Sequence, residues 1–249
     1  MGSVTMERDG AVAVLTVSSP DVRNGLTAAM GEQIVELCNE VDGDPTVGAV
    51  VVRGAGGTFC SGADTRTWGS NDDPAGDEAY GRTSAVYRAF VRVGQLGVPS
   101  VAAVRGAAVG AGLNLALSTD VRIVADDARL IGGFIRAGIT PGGGFFSLVA
   151  RRVGTEAAAA LGLFSQELSG ARASALGLAW EAVPDPEVED RAMSLARAAA
   201  ADPELVRRAL AIARMELDGP GVPWLAALEM ERGTQMWAQR RRQRKLAER

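Results

Sequence analysis

Gly106-Ala107-Ala108-Val109-Gly110-Ala111-Gly112-Leu113-Asn114 follows directly on the apolar run Pro99-Ser100-Val101-Ala102-Ala103-Val104. A run of that length and hydrophobicity reads as a strand covered on both faces, and the small residues after it lead into a short helix over 113–117. Such a junction exposes backbone N–H groups that have no partner inside the helix, at the end where the helix dipole is positive. The pattern also occurs upstream: Ala49-Val50-Val51-Val52 is a second all-apolar run, Gly54-Ala55-Gly56-Gly57 follows it, and Phe59-Cys60-Ser61-Gly62-Ala63-Asp64 comes next. Two N–H groups aimed at one point make an oxyanion hole, worth about 3–4 kcal/mol per donor when a carbonyl oxygen gains charge. Either segment alone reads as an ordinary tight turn. Their occurrence in this order, with Pro141-Gly142-Gly143-Gly144 downstream, is far more specific.

Outward from these segments the chain alternates strand and helix. Residues 12–17 are β-branched and short, and Ser18-Ser19-Pro20-Asp21 closes them with turn chemistry. Thr27 can cap a helix in which Met30, Ile34, Leu37 and Val41 share one face, and Asp42-Gly43-Asp44-Pro45 stops it. A Gly-, Asn-, Asp- and Pro-rich loop over 69–78 precedes a helix over 78–96, and 121–124 is a further strand. After Gly144 no strand is legible, and Ala-, Leu- and Arg-rich helical spacing runs on, punctuated by Pro184, Pro186, Pro203 and Pro220. The expectation is an α/β core of about 150 residues with a helical C-terminal part.

Composition narrows the function classes. The 249 residues are 47% hydrophobic and 22% charged, enough to bury a full core, and the net charge of −4 offers no global field for nucleic acid or an anionic membrane. Cys38 and Cys60 sit in apolar surroundings without disulfide or zinc spacing, no apolar stretch reaches membrane-spanning length, and no leader is legible, so a cytoplasmic protein without a metal is expected. Histidine is absent, which removes Ser-His-Asp and Cys-His schemes. A Rossmann reading of Gly54-Ala55-Gly56-Gly57 fails because Phe59 stands where the third glycine belongs, and no Gly-Lys-Ser/Thr ending supports a P-loop.

With these segments in order, the chain resembles the crotonase superfamily, the enoyl-CoA hydratase/isomerase family, over nearly its whole length. Ser19-Pro20-Asp21-Val22-Arg23-Asn24-Gly25-Leu26 is similar to that family's adenine-side loop, and Thr119-Asp120-Val121-Arg122-Ile123-Val124 matches as well. The resemblance implies a crotonase-type spiral of ββα units over 1–185, and a helical region over 186–249 that builds a homotrimer or a dimer of trimers. It implies an acyl-CoA substrate with no separate cofactor, a thioester oxygen held by the amides of Ala63 and Ala111, and contacts to the substrate from Arg23, Gly25, Ser61, Gly62, Asp64, Trp68 and Gly110.

The departures from the family pattern are informative. Hydratases of the family use two glutamates; aligned by motif, Asn114 and Phe134 stand in their places. Asn holds water but exchanges no proton near neutral pH, and Phe does neither. Phe134 reads plainly as a core or pocket aromatic, and functionally as a way of keeping the pocket dry. Asp64 reads first as structural, while Asp72, Asp73, Asp77, Glu78 and Tyr80 lie where a substitute acid could enter from the loop. The basic run Arg240-Arg241-Arg242-Gln243-Arg244-Lys245 is read as a solvated helix end, or by resemblance as a partner for CoA phosphates. Three activities stay open: enolate chemistry of the hydratase/isomerase kind, decarboxylation, and acyl-CoA binding without catalysis.

Overall fold

The computed structural model describes residues 2–64, 66 and 77–217, with side chains in the last stretch described from Gly81 onward. Nine strands run in chain order as β1 (Ser3–Asp9), β2 (Val12–Ser18), β3 (Ala49–Gly54), β4 (Ser100–Val104), β5 (Ala107–Val109), β6 (Val121–Ala125), β7 (Arg129–Ile131), β8 (Glu167–Ser169) and β9 (Glu181–Val183). Among them lie α1 (Ala28–Gly43), α2 (Asp77–Gly94), α3 (Ala111–Ser118), α4 (Phe145–Gly162), α5 (Gly170–Leu176), α6 (Val188–Ala199) and α7 (Pro203–Leu217). A six-stranded sheet has the order β1-β2-β3-β4-β6-β9, and a three-stranded sheet the order β5-β7-β8. Only β1 in the large sheet is antiparallel to its neighbour.

The chain winds as a spiral, laying one strand in the large sheet and the next in the small one: β4 then β5, β6 then β7. A parallel bridge between Cys60 and Ala108 gives the turn after β3 the same relation to the small sheet. Strands β3 and β4 are apolar because both their faces are covered, and Val50, Val51, Val101 and Ala102 are all buried. On one side α6 packs across β3, β4 and β6 with Val188, Ala192 and Ala196 buried. At the start of α1, the Thr27 hydroxyl accepts from the Met30 N–H at 3.2 Å, and Met30, Ile34 and Val41 are buried as their spacing predicts.

Two expectations need correction. Strands β8 and β9 follow the Pro-Gly turn, where the sequence reads as helix alone; at three residues each they are too short to display a period. The edge strand β1 escapes notice because only Val4 among its residues is buried, which leaves no alternating apolar signal. Among the described residues no helix is long and apolar enough to cross a membrane.

Candidate active site

Two loops meet where the spiral brings the turn after β3 against the turn after β5. Leu26 donates its N–H to Gly62 O and accepts from Asp64 N–H, both at 2.8 Å. In that parallel bridge the N–H of Ala63 points away from Leu26. It donates to no described residue. Gly110 caps α3 without a side-chain hydrogen bond, and the first bond of the helix runs from Asn114 N–H to Gly110 O at 3.0 Å. The Ala111 N–H, at the first position of α3, likewise donates to no described residue. Two glycines permit the close approach of these loops. A Cβ on Gly62, whose φ is +105°, would stand 2.9 Å from Val109 O and 3.8 Å from the Ala111 nitrogen, and a Cβ on Gly112 would stand 2.3 Å from Cys60 O.

The far end of α3 is paired with two arginines, Arg122 buried and Arg152 half-buried. Arg152 donates to Leu117 O and Arg122 to Thr119 O at 2.7 Å. Burial pushes the Arg122 guanidinium down to about 10, with the nearby Arg152 charge adding to the effect. The dipole of α3 thus has its carbonyl end paired with cations and its amide end open to the cleft.

Ala63 and Ala111 border a cavity of about 170 Å³ that Ser61, Gly62 and Gly110 also line. Arg82, Thr83, Val86 and Tyr87 of α2, and Phe134, Ala137 and Ile139 from the segment after β7, line the same cavity. Phe134 packs edge-on against Phe145 with ring centroids 5.1 Å apart. No carboxylate is among the described lining residues.

Asn114 lies behind this lining. It is 1% exposed, and its Nδ2 donates to Gly142 O at 2.9 Å, which clips the Pro-Gly turn to α3. Its Oδ1 is buried with no hydrogen-bond partner among the described residues. The Tyr87 hydroxyl abuts the same turn, since a Cβ on Gly142 would stand 2.2 Å from it.

Of the residues expected at the site, the structure brings Ser61, Gly62, Ala63, Gly110, Ala111 and Phe134 together. Arg23 supports from outside the lining: its carbonyl accepts the Ser61 N–H at 3.0 Å. A Cβ on Gly25 would come 3.4 Å from Ser61 Oγ, so this glycine also backs the loop. Asp64 is buried and paired with Arg66 through two 3.0 Å bonds, and that guanidinium holds its carboxyl below the ordinary range. Trp68, Asp72, Asp73 and the basic run 240–245 lie outside the described residues, as do the side chains of Asp77, Glu78 and Tyr80. Sequence reasoning passed over Arg82, Thr83, Val86 and Tyr87, whose helical spacing does not distinguish a cleft-facing stripe from a core-facing one. It also passed over Asn24, which is buried and ties its loop to the turn after β3 by donating to Ala55 O at 2.8 Å and Thr58 O at 2.6 Å.

The profile of the enoyl-CoA hydratase/isomerase family matches residues 7–237. The chain belongs to the crotonase superfamily. A probable enoyl-CoA hydratase of Mycobacterium tuberculosis is 42% identical over 183 residues, covering 74% of this chain and 70% of the relative. The 1,2-epoxyphenylacetyl-CoA isomerase of Escherichia coli is 33% identical over 184 residues, covering 73% and 70%. Among crotonase structures, a putative enoyl-CoA hydratase from Thermobifida fusca in complex with CoA superposes with a TM-score of 0.82 at 28% identity, over 99% of this chain and 95% of that one. The architecture is the crotonase fold, and the chain is a family member of the acyl-CoA-processing, lyase- or isomerase-like kind.

Proposed function

We propose that this protein stabilises a thioester enolate of an acyl-CoA in the cleft between Ala63 and Ala111, and that it adds water to enoyl-CoA poorly. The observation that carries the reading is a pair of amides without a partner among the described residues, bordering one cavity whose described lining holds no carboxylate. Each amide is worth about 3–4 kcal/mol when negative charge moves onto the thioester oxygen, and both stand ready before the charge develops. Asn114 and Phe134 take the places of the family's glutamates in this reading. One accepts hydrogen bonds without exchanging protons and the other is apolar, so proton transfer in hydration loses about 10²–10⁴ in rate. CoA enters as part of the substrate. The CoA complex of the Thermobifida relative and the isomerase activity named for the Escherichia coli relative support a thioester ligand and chemistry other than hydration. Large apolar side chains left in solvent, Phe164 at 71% and Trp180 at 69% exposed, support the expected homotrimer or dimer of trimers.

The deciding measurement sets turnover of short and long trans-2-enoyl-CoA and of 3-enoyl-CoA beside calorimetric binding of each. The expected result is binding of the thioesters, with hydration at least about 100-fold slower than the hydratase relatives achieve. Hydration at the relatives' own rates would falsify the reading of Asn114 and Phe134. Failure to bind any CoA thioester would remove the acyl-CoA site altogether.

A further inference from the structure

The cavity that the two amides border is also lined by a tyrosine, which the amide pair leaves unused. Resting on the enolate reading, we propose that Tyr87 moves the proton at the thioester α-carbon, in the role that carboxylates fill elsewhere in the family. Tyr87 lines the same cavity as Ala63 and Ala111. The other polar groups of the described lining are unsuited to the task. Ser61 Oγ is engaged with Val22 O at 2.5 Å, Thr83 offers an alcohol, and Arg82 offers N–H donors with no acceptor.

The position of the hydroxyl is constrained as well. It packs on Gly142, whose carbonyl is held by Asn114 Nδ2 at 2.9 Å, while the Asn114 N–H bonds to Gly110 O at 3.0 Å. A short run of contacts therefore connects the phenol to the turn that presents the Ala111 amide. The ring is braced by Phe90 at a centroid distance of 5.5 Å, and the residue is 37% exposed, so its hydroxyl can exchange protons with solvent. It makes no hydrogen bond to a described residue.

The chemistry balances within the site. The phenolate oxygen takes the α-proton, the C–H electron pair becomes the carbon–carbon double bond of the enolate, and the charge on the thioester oxygen is met by the amides. The reverse step returns the proton, or in D₂O a deuteron, to the same carbon. Because the phenolate is the base in the forward step, proton removal should accelerate with rising pH.

The experiment is exchange of the α-hydrogens of butyryl-CoA in D₂O, followed by NMR across pH, with binding measured in parallel. Wild-type protein is expected to exchange faster than free thioester and increasingly so with pH. Tyr87→Phe should lower exchange at least about 100-fold while butyryl-CoA affinity changes less than about threefold. Gly142→Ala, which drives a methyl group into the hydroxyl's place, should lower exchange with the phenol still present. The chain has two tyrosines, so global 3-fluorotyrosine labelling perturbs few sites, and it should move the pH profile to lower pH. Exchange retained by either variant, or an unmoved profile, overturns the assignment to Tyr87 and leaves the enolate reading standing. Wild-type protein that binds butyryl-CoA without exchange overturns both.

Discussion

The part of the cleft that carries Ala63 and Ala111 is backbone held by backbone, whereas the lining from α2 and from the segment after β7 is made of side chains. In the first, Leu26 clamps Gly62 and Asp64 while glycines at 62 and 112 let two loops touch, so almost any side-chain change forces the main chain to move. In the second, Val86, Tyr87, Phe134 and Ile139 offer their chemistry directly, and substitution alters the lining without altering the frame. A fold that fixes oxygen-binding amides in its main chain can change proton-transfer groups and acyl pocket separately. That division explains how one scaffold carries a hydratase and an isomerase among its relatives.

The sharpest way to break this contrast is Gly112→Ala. The new methyl would stand 2.3 Å from Cys60 O and 2.7 Å from Cys60 Cβ, so the loops must part. A loss of about 3 kcal/mol in denaturant unfolding is expected, together with loss of thioester chemistry. Ile139→Ala on the other wall, at a residue 40% exposed, should cost about 1 kcal/mol or less and shift the preferred acyl length instead. Equal stability losses in the two variants would erase the distinction between the walls.

Asn114 lies at the junction of the two walls, and its substitution should fall between those extremes. Asn114→Asp places a buried carboxylate against the carbonyl of Gly142, which the native amide holds at 2.9 Å. The expected cost is about 2–3 kcal/mol at neutral pH. The introduced acid would have its folded-state value raised, so its neutral form is favoured in the fold. The penalty should then be smallest below about pH 4 and grow as pH rises above the unfolded value. Urea midpoints at pH 4 and pH 7 would show this; a variant equally unstable at both would mean that shape, and not charge, governs the position.

The same division explains what could be read in advance. The Gly62 and Gly112 loops were legible because close backbone approach demands small residues at fixed places after apolar strands. The α2 wall was not, since Val86 and Tyr87 satisfy the same amphipathic pattern as any half-buried helix face and nothing in their spacing tells cleft from core. Strands β5, β7, β8 and β9 were missed as strands because three residues carry no period; only their place in the spiral defines them. Asn114 was legible as a departure from the family pattern. Its bond to Gly142 was not, because the turn it holds is 28 residues away in the chain.

The smallest expected effect tests whether the backbone wall stays closed when nothing is mutated. Cys60 lies inside it, fully buried, with Gly62 N–H donating to its sulfur at 3.4 Å. Burial pushes this thiol up from an ordinary value near 9.0 to about 12, and burial does the same to Cys38 of α1. A thiol whose folded value is raised stabilises the fold fully below the unfolded value, and that contribution is lost as pH rises through the folded value. At pH 9 the loss is about 0.4 kcal/mol per thiol, growing toward pH 12. Alkylation by iodoacetamide at pH 9 should accordingly be slow in the native protein and rapid in urea for both cysteines. Selective native labelling of Cys60 would mean that the two loops separate on their own. The amides of Ala63 and Ala111 would then be assembled by the substrate and not by the fold.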